Sequence, residues 1–132
     1  MIELKIENVN PKNKKTSDCV IRALSKASNK SYEQVLRELV EITLKTGYMI
    51  NDKKCYEKWL ADNYFIKMPQ PKQFDGTKYL VGEINELIKS DDKVVISLAH
   101  HLTCVVDNQL IDLWDCRRKT IGNYYIKMRG AK

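Results

Sequence analysis

The spacing of apolar residues changes partway along this chain, and the change constrains the fold more than any other feature. Up to about residue 90, apolar residues recur every three or four positions, as on one face of a helix. Beyond that point they form short β-branched runs or alternate with polar residues, as in strands. Helices followed by strands in one chain predict an α+β fold, with N-terminal helices packed on a C-terminal antiparallel sheet.

Capping residues and apolar spacing set the bounds of the predicted elements. Helices are expected over residues 19–29, from Ser31 to Gly47, from Asn51 or Asp52 to about Asn63, and near Val81–Lys89. Strands are expected at Val94–Leu98, His101–Val106, Leu110–Trp114 and Tyr124–Met128. Asp107 and Asn108 suit a tight turn between the second and third of these strands, which predicts a hairpin.

Length and composition limit the class of protein. The 132 residues have a mass of 15.4 kDa and 43% are hydrophobic, which predicts a single domain over residues 1–132 with its own core. No apolar run approaches the ~20 residues of a membrane span, and the first residues lack the apolar centre of a signal peptide. We therefore expect a cytoplasmic protein without a membrane partner.

Four cysteines occur, at positions 19, 55, 104 and 116, and none belongs to a CxxC or CxxH pair. Structural zinc sites and dithiol redox motifs use such closely spaced ligands. The sequence therefore predicts neither a metal site nor a cofactor, and in a reducing compartment the cysteines are expected to remain free thiols.

Cys19 is predicted to open the first helix, directly after Asp18. The unpaired N–H groups and the positive dipole end at a helix N-terminus make a thiol there easier to ionise than an ordinary thiol. This position suits a nucleophile. It is also compatible with a buried structural cysteine, the commoner role, and Asp18 is a good N-cap in either case.

The predicted hairpin offers an imidazole and a carboxylate to such a nucleophile. If Asp107 and Asn108 form a two-residue turn, Asp112 lies diagonally across from His101. A three-residue turn would shift the pairing by one residue and bring Asp115 opposite His101 instead. The sequence favours Asp112 as the partner of His101 and leaves Asp115 as the alternative.

The neighbours of this pair separate the two histidines. Trp114 is expected on the same face as His101, where it would keep water from the pair. His100 falls on the opposite face and would be a poor base. A histidine in a strand is also often structural, so His101 alone does not establish a reactive site.

The order of these residues resembles the papain-like cysteine peptidase superfamily, especially its compact bacterial and phage-type members. In that superfamily a cysteine opens a helix, a histidine starts a strand, and an acid or amide is followed two positions later by tryptophan. Here Cys19, His101, Asp112 and Trp114 stand in that order. The resemblance covers residues 13–115.

The resemblance implies a papain-like fold and a function. It implies Cys19 as nucleophile, His101 as proton carrier, Asp112 as the orienting acid and Trp114 as a shield. An amide side chain six positions before the cysteine helps to form the oxyanion hole in that superfamily, and Asn13 stands at this position. The expected activity is hydrolysis of a peptide, isopeptide or related amide bond in a protein or peptide substrate.

Two other functions remain compatible with the sequence. A papain-like domain could be catalytically silent and capture a host or partner protein. A nucleic-acid-binding domain is the weaker alternative, because the net charge of +6 is spread thinly along the chain. Its contacts would come from Lys12, Lys14, Lys15, Arg117, Arg118 and Lys119.

Overall fold

The structure is a computed structural model and describes residues 1–130. Its strands are β1 (Glu3–Ile6), β2 (Phe65–Met68), β3 (Val94–Leu98), β4 (His101–Val106), β5 (Gln109–Asp112) and β6 (Asn123–Lys127). Its α-helices are α1 (Cys19–Ser28), α2 (Tyr32–Thr46) and α3 (Lys53–Asp62). The predicted helix near Val81–Lys89 is a 3-10 helix over Val81–Glu86. The α+β class is confirmed.

The strands form a six-stranded sheet in the order β1-β5-β4-β3-β6-β2. The expectation of a wholly C-terminal, antiparallel sheet needs two corrections. The two edge strands, β1 and β2, precede residue 70 in the chain, and β1 runs parallel to β5. Both edge strands are four residues long and mostly solvent-accessible, so their sequences carry little of the alternation that marks a half-buried strand.

Both faces of the sheet are covered, which explains the continuous apolar run of β3. Side chains alternate between the faces, and Val95 joins the core beneath the α-helices while Val94 and Ile96 join a second core on the other face. The largest fully buried side chains of the helix-side core are those of Trp59, Tyr125, Leu24, Leu39 and Leu60.

Among the helices of residues 1–130, none has the length and hydrophobicity that crossing a membrane requires.

The hairpin of β4 and β5 has the predicted two-residue turn. Asp107 and Asn108 have φ angles of 52° and 59°, as the right-handed twist of a hairpin requires, and aspartate and asparagine tolerate this region best after glycine. Val106 pairs with Gln109, which confirms the two-residue register. The register therefore places the end of β5 beside the beginning of β4.

Helix α1 lies against β4, and this packing fixes where its N-terminus sits. Ala23, Leu24 and Ala27 are buried on the side that faces the sheet. The helix ends at Asn29, whose φ of 62° is the left-handed conformation that often terminates helices. As a result, the first turn of α1 borders the same cleft as the beginning of β4.

Candidate active site

Cys19 is the first residue of α1 and lines an open cleft with a volume of about 990 Å³. Its thiol is free and partly accessible. Asp18 occupies the N-cap position, but its side chain makes no capping hydrogen bond. The first helical bond runs from the Arg22 N–H to the Asp18 carbonyl, at 3.0 Å. The backbone N–H groups of residues 19–21 precede this bond, and a helix leaves such groups without an internal partner. They lie in the same first turn of α1 as Cys19.

His101 begins β4 and is held by Asp112 at the end of β5. The distance from His101 Nε2 to Asp112 Oδ2 is 2.6 Å. Asp112 is 2% exposed, and its Oδ1 accepts a hydrogen bond from the Leu113 backbone N–H at 2.6 Å. Because Nε2 is engaged by Asp112, Nδ1 is the ring nitrogen available to Cys19. The Trp114 ring centroid lies 5.0 Å from that of His101 and restricts solvent access to the pair.

These contacts shift the pKa of each group. Burial raises the pKa of the Cys19 thiol, but hydrogen bonds from the His101 side chain and the Leu102 backbone outweigh it and bring the pKa below 9.0. Burial lowers the pKa of His101, but hydrogen bonds to Asp112 and Cys19 raise it to about 9. Burial also opposes ionisation of Asp112, whose pKa is nevertheless lowered, chiefly by the hydrogen bond from His101. The lowered pKa of the Cys19 thiol and the raised pKa of the His101 imidazole both favour a thiolate–imidazolium pair.

Arg22 is a buried residue of this site that the sequence analysis missed. Its Nε lies 2.8 Å from Asp18 Oδ1, and its Nη1 lies 3.4 Å from Asp112 Oδ1. Tyr32 Oη donates to the other Asp18 oxygen at 2.8 Å. The guanidinium therefore ties the first turn of α1 to the acid that holds His101. The only sequence signal was the four-residue spacing from Asp18 to Arg22, which is also typical of exposed ion pairs.

Replacing Arg22 with methionine should destabilise the fold. The substitution leaves Asp18 buried without its cation and removes one of the two basic partners of Asp112. Removing one partner of a buried ion pair costs about 3–5 kcal/mol. Arg37→Met is the matched control, because Arg37 pairs with Glu33 at the same spacing on an exposed helix face. That pair should contribute only about 0.3–0.5 kcal/mol. Urea unfolding of both variants at pH 7 measures the difference, and equal losses would contradict a structural role for Arg22.

Three residues considered from the sequence are not part of the Cys19–His101–Asp112 arrangement. Asn13 is exposed and accepts a hydrogen bond from Asn8 at 3.3 Å, and it is not among the described residues that line the cleft. Asp115 is exposed and binds Arg117 through both oxygens at 2.9 Å. His100 is in the turn between β3 and β4, with φ 57°, and its exposed side chain borders the cleft.

A group of potential metal ligands overlaps this site. Atoms of His101, Asp112 and Cys116 lie within 4.8 Å of one another. Burial raises the pKa of the Cys116 thiol to about 12, with a further contribution from the charge of Asp112. A metal ligand must be the thiolate, and Asp112 is already engaged by His101 and Arg22. This donor set therefore suits a buried hydrogen-bond network better than a metal ion.

The remaining cysteines differ from Cys19 in their surroundings. Cys55, Cys104 and Cys116 are buried, and burial raises the pKa of Cys104 as well as that of Cys116. A buried thiol with a raised pKa is a poor nucleophile. Among the cysteines, Cys19 alone combines solvent access with a lowered pKa.

Neither a family model, nor a curated protein, nor a solved structure matches this chain. The chemistry of the site follows from its geometry. A partly accessible thiol, an imidazole and a buried carboxylate stand in series, and the thiol lies at a helix N-terminus. Such a series can form a nucleophile, carry a proton to a leaving group and hold the ring in one tautomer.

Proposed function

We propose that the protein is a cytoplasmic, papain-like cysteine hydrolase that cleaves a peptide, isopeptide or related amide bond through a thioester acyl-enzyme. One observation supports this above all others. His101 lines the same cleft as Cys19 and lowers the pKa of its thiol, while His101 Nε2 lies 2.6 Å from the buried Asp112 carboxylate. This arrangement provides the nucleophile, the proton carrier and the orienting acid that acyl transfer needs.

The first half-reaction forms the acyl-enzyme. The Cys19 thiolate attacks the carbonyl carbon, and the C=O π electrons move to the oxygen. Backbone N–H groups at the start of α1 stabilise this oxyanion, and each donor of this kind typically contributes ~10²–10³-fold to the rate. When the tetrahedral intermediate collapses, the C–N bond breaks and the His101 imidazolium gives its proton to the leaving amine.

The second half-reaction releases the acid. His101, now neutral, takes a proton from a water molecule, and the water oxygen attacks the thioester carbon. The C–S bond breaks, and the Cys19 thiolate returns beside the His101 imidazolium. Asp112 holds the ring orientation in both half-reactions, and Trp114 limits the access of bulk water to their hydrogen bond.

Release of amines from a mixture of unfolded proteins tests this function without knowledge of the substrate. Peptide and isopeptide cleavage both expose a new amine, which can be labelled and located by mass spectrometry. Wild-type protein should release amines that are not released by Cys19→Ala. If no thioester forms at Cys19 and no amine is released, the protein is better described as a catalytically silent domain that binds a partner.

The rate of amine release should have a bell-shaped dependence on pH. It rises as Cys19 ionises, through a pKa below 9.0, because the thiolate is the nucleophile. It falls as the pH passes about 9, because His101 then loses the proton that the leaving amine needs. Since the two groups titrate together, each limb reports the pair. A rate that keeps rising above pH 9 would contradict His101 as the proton donor.

A further inference from the structure

The charged side chains that line the cleft all have the same sign. They are Lys15 in the β1–α1 loop, Arg22 on α1 and Lys53 at the start of α3, joined by His101 in its protonated state. No aspartate or glutamate among residues 1–130 lines the cleft. A cleft with one sign of charge concentrates ligands of the opposite sign.

Much of this positive charge is balanced within the site. Arg22 lies between Asp18 and Asp112, and His101 Nε2 is hydrogen-bonded to Asp112. Neither Lys15 nor Lys53 forms a salt bridge with any residue in the described part of the chain. The charge that the cleft offers to a ligand therefore comes from these two lysines.

Lys53 is held in place by a neutral partner. Its Nζ donates a hydrogen bond of 2.7 Å to Asn123 Oδ1 at the start of β6. This bond fixes the ammonium without cancelling its charge, and two of its three protons remain for a ligand. Lys53 and Cys19 line the same cleft, with Tyr56, one turn further along α3, as a further lining residue on the helix of Lys53.

We propose that the cleft binds a carboxylate of the substrate close to the bond that Cys19 attacks, with Lys53 and Lys15 as the residues that determine this preference. The inference rests on the proposed function, since it specifies a substrate that carries a carboxylate near the cleaved bond. The carboxylate could belong to an aspartate or glutamate side chain or to a free C-terminus. Both present the same charge and the same oxygen acceptors to the lysines.

Alkylation of Cys19 by two small reagents measures the preference directly. Iodoacetate carries a carboxylate, and iodoacetamide has almost the same shape without the charge. The rate constant for iodoacetate divided by that for iodoacetamide at Cys19 is measured by intact mass. This ratio should fall about threefold in Lys53→Met and about threefold in Lys15→Met, as expected for loss of a unit charge several ångströms away in water. The ratio in wild type should also fall as salt is added.

Two control variants remove the same charge outside the cleft. Lys12 is in the same loop as Lys15, and Lys58 is on the same helix as Lys53, but neither lines the cleft. Lys12→Met and Lys58→Met should keep the wild-type ratio. If the controls lower the ratio as much as the cleft variants, net charge is responsible and the proposal is wrong. An unchanged ratio in the double variant of Lys15 and Lys53 would overturn it as well.

Peptide binding to Cys19→Ala separates the two sources of the carboxylate and does not depend on a reactive thiol. Trp114, 41% exposed at the cleft, should report binding by its fluorescence. Preference for a glutamate peptide over its glutamine counterpart, both amidated, indicates a side chain. Preference for a free over an amidated C-terminus indicates the chain end. If the wild type binds carboxylate peptides with this preference but does not cleave them, the carboxylate site is supported and the hydrolase function is contradicted. If it cleaves peptides without either preference, the hydrolase function is supported and the carboxylate site is contradicted.

Discussion

Replacing His101 with alanine is expected to slow acylation of Cys19 at pH 7 by about 10²–10⁴-fold, the usual contribution of a general acid–base group. Two effects act together. Burial alone raises the pKa of the Cys19 thiol, and the contacts with His101 are among those that lower it again, so the variant has less thiolate. The leaving amine also loses its proton donor. Single-turnover acylation by a peptide anilide, whose leaving group is an amine, measures this rate when the acyl-enzyme is followed by intact mass.

His100 provides the control for this prediction. It is adjacent in sequence and also borders the cleft, but it lies in the turn, where its φ is 57°. Asparagine tolerates this conformation better than alanine, so His100→Asn should fold normally and keep most of the wild-type rate. Cys19→Ala defines the background. Equal losses in His101→Ala and His100→Asn, with unchanged melting temperatures, would show that His101 has no special role.

The hairpin could be predicted from the sequence because its determinants are local. Asp107 and Asn108 select a two-residue turn, and the turn fixes the register of the strands on either side. The period of two then decides which side chains share a face. These rules were enough to place Asp112 beside His101, and the 2.6 Å distance agrees with that expectation.

The edge strands and the buried ion pairs could not be predicted because they depend on distant parts of the chain. β1 pairs with β5 across more than a hundred residues, and a four-residue strand with exposed side chains has no distinctive pattern. Arg22 has the sequence context of a solvent-exposed helix residue. It becomes buried only because α1 packs on β4 and brings the guanidinium to Asp112.

Asn13 shows the limit of reasoning from a resemblance. Its distance in sequence from Cys19 matches the superfamily pattern, but sequence spacing does not determine the path of a loop. In the structure Asn13 has a φ of 53° and turns toward Asn8, while Lys15, Thr16 and Ser17 reach the cleft. The loop therefore brings a positive charge to the site in place of the expected amide, which leaves the backbone of α1 as the oxyanion donor in the proposed mechanism.

Removing the carboxylate of Asp112 should have the second largest effect on turnover. Asp112→Ala is expected to lower the acylation rate by ~10²-fold or more, because His101 loses the group that orients it. It should also destabilise the fold, since Asp112 is buried and shares Arg22. Asp112→Asn keeps the shape and an oxygen acceptor, so it should fold better and lose less of the rate. Asp115→Ala, at an exposed acid bound to Arg117, should retain the wild-type rate.

The pH dependence of Asp112→Asn separates an orienting acid from a merely structural one. Against the effect of burial, the hydrogen bond to the Asp112 carboxylate is the largest cause that raises the pKa of His101 to about 9. Its loss should therefore move the basic limb of the rate profile to lower pH. A less basic imidazole in turn stabilises the Cys19 thiolate less, so the acidic limb should move to higher pH. The active range therefore narrows from both sides, whereas lost stability alone would lower the rate without moving either limb. If Asp112→Asn keeps the wild-type pH dependence of the rate, the site is a Cys19–His101 dyad. If Asp115→Ala lowers the rate instead, Asp115 is the acid that orients His101.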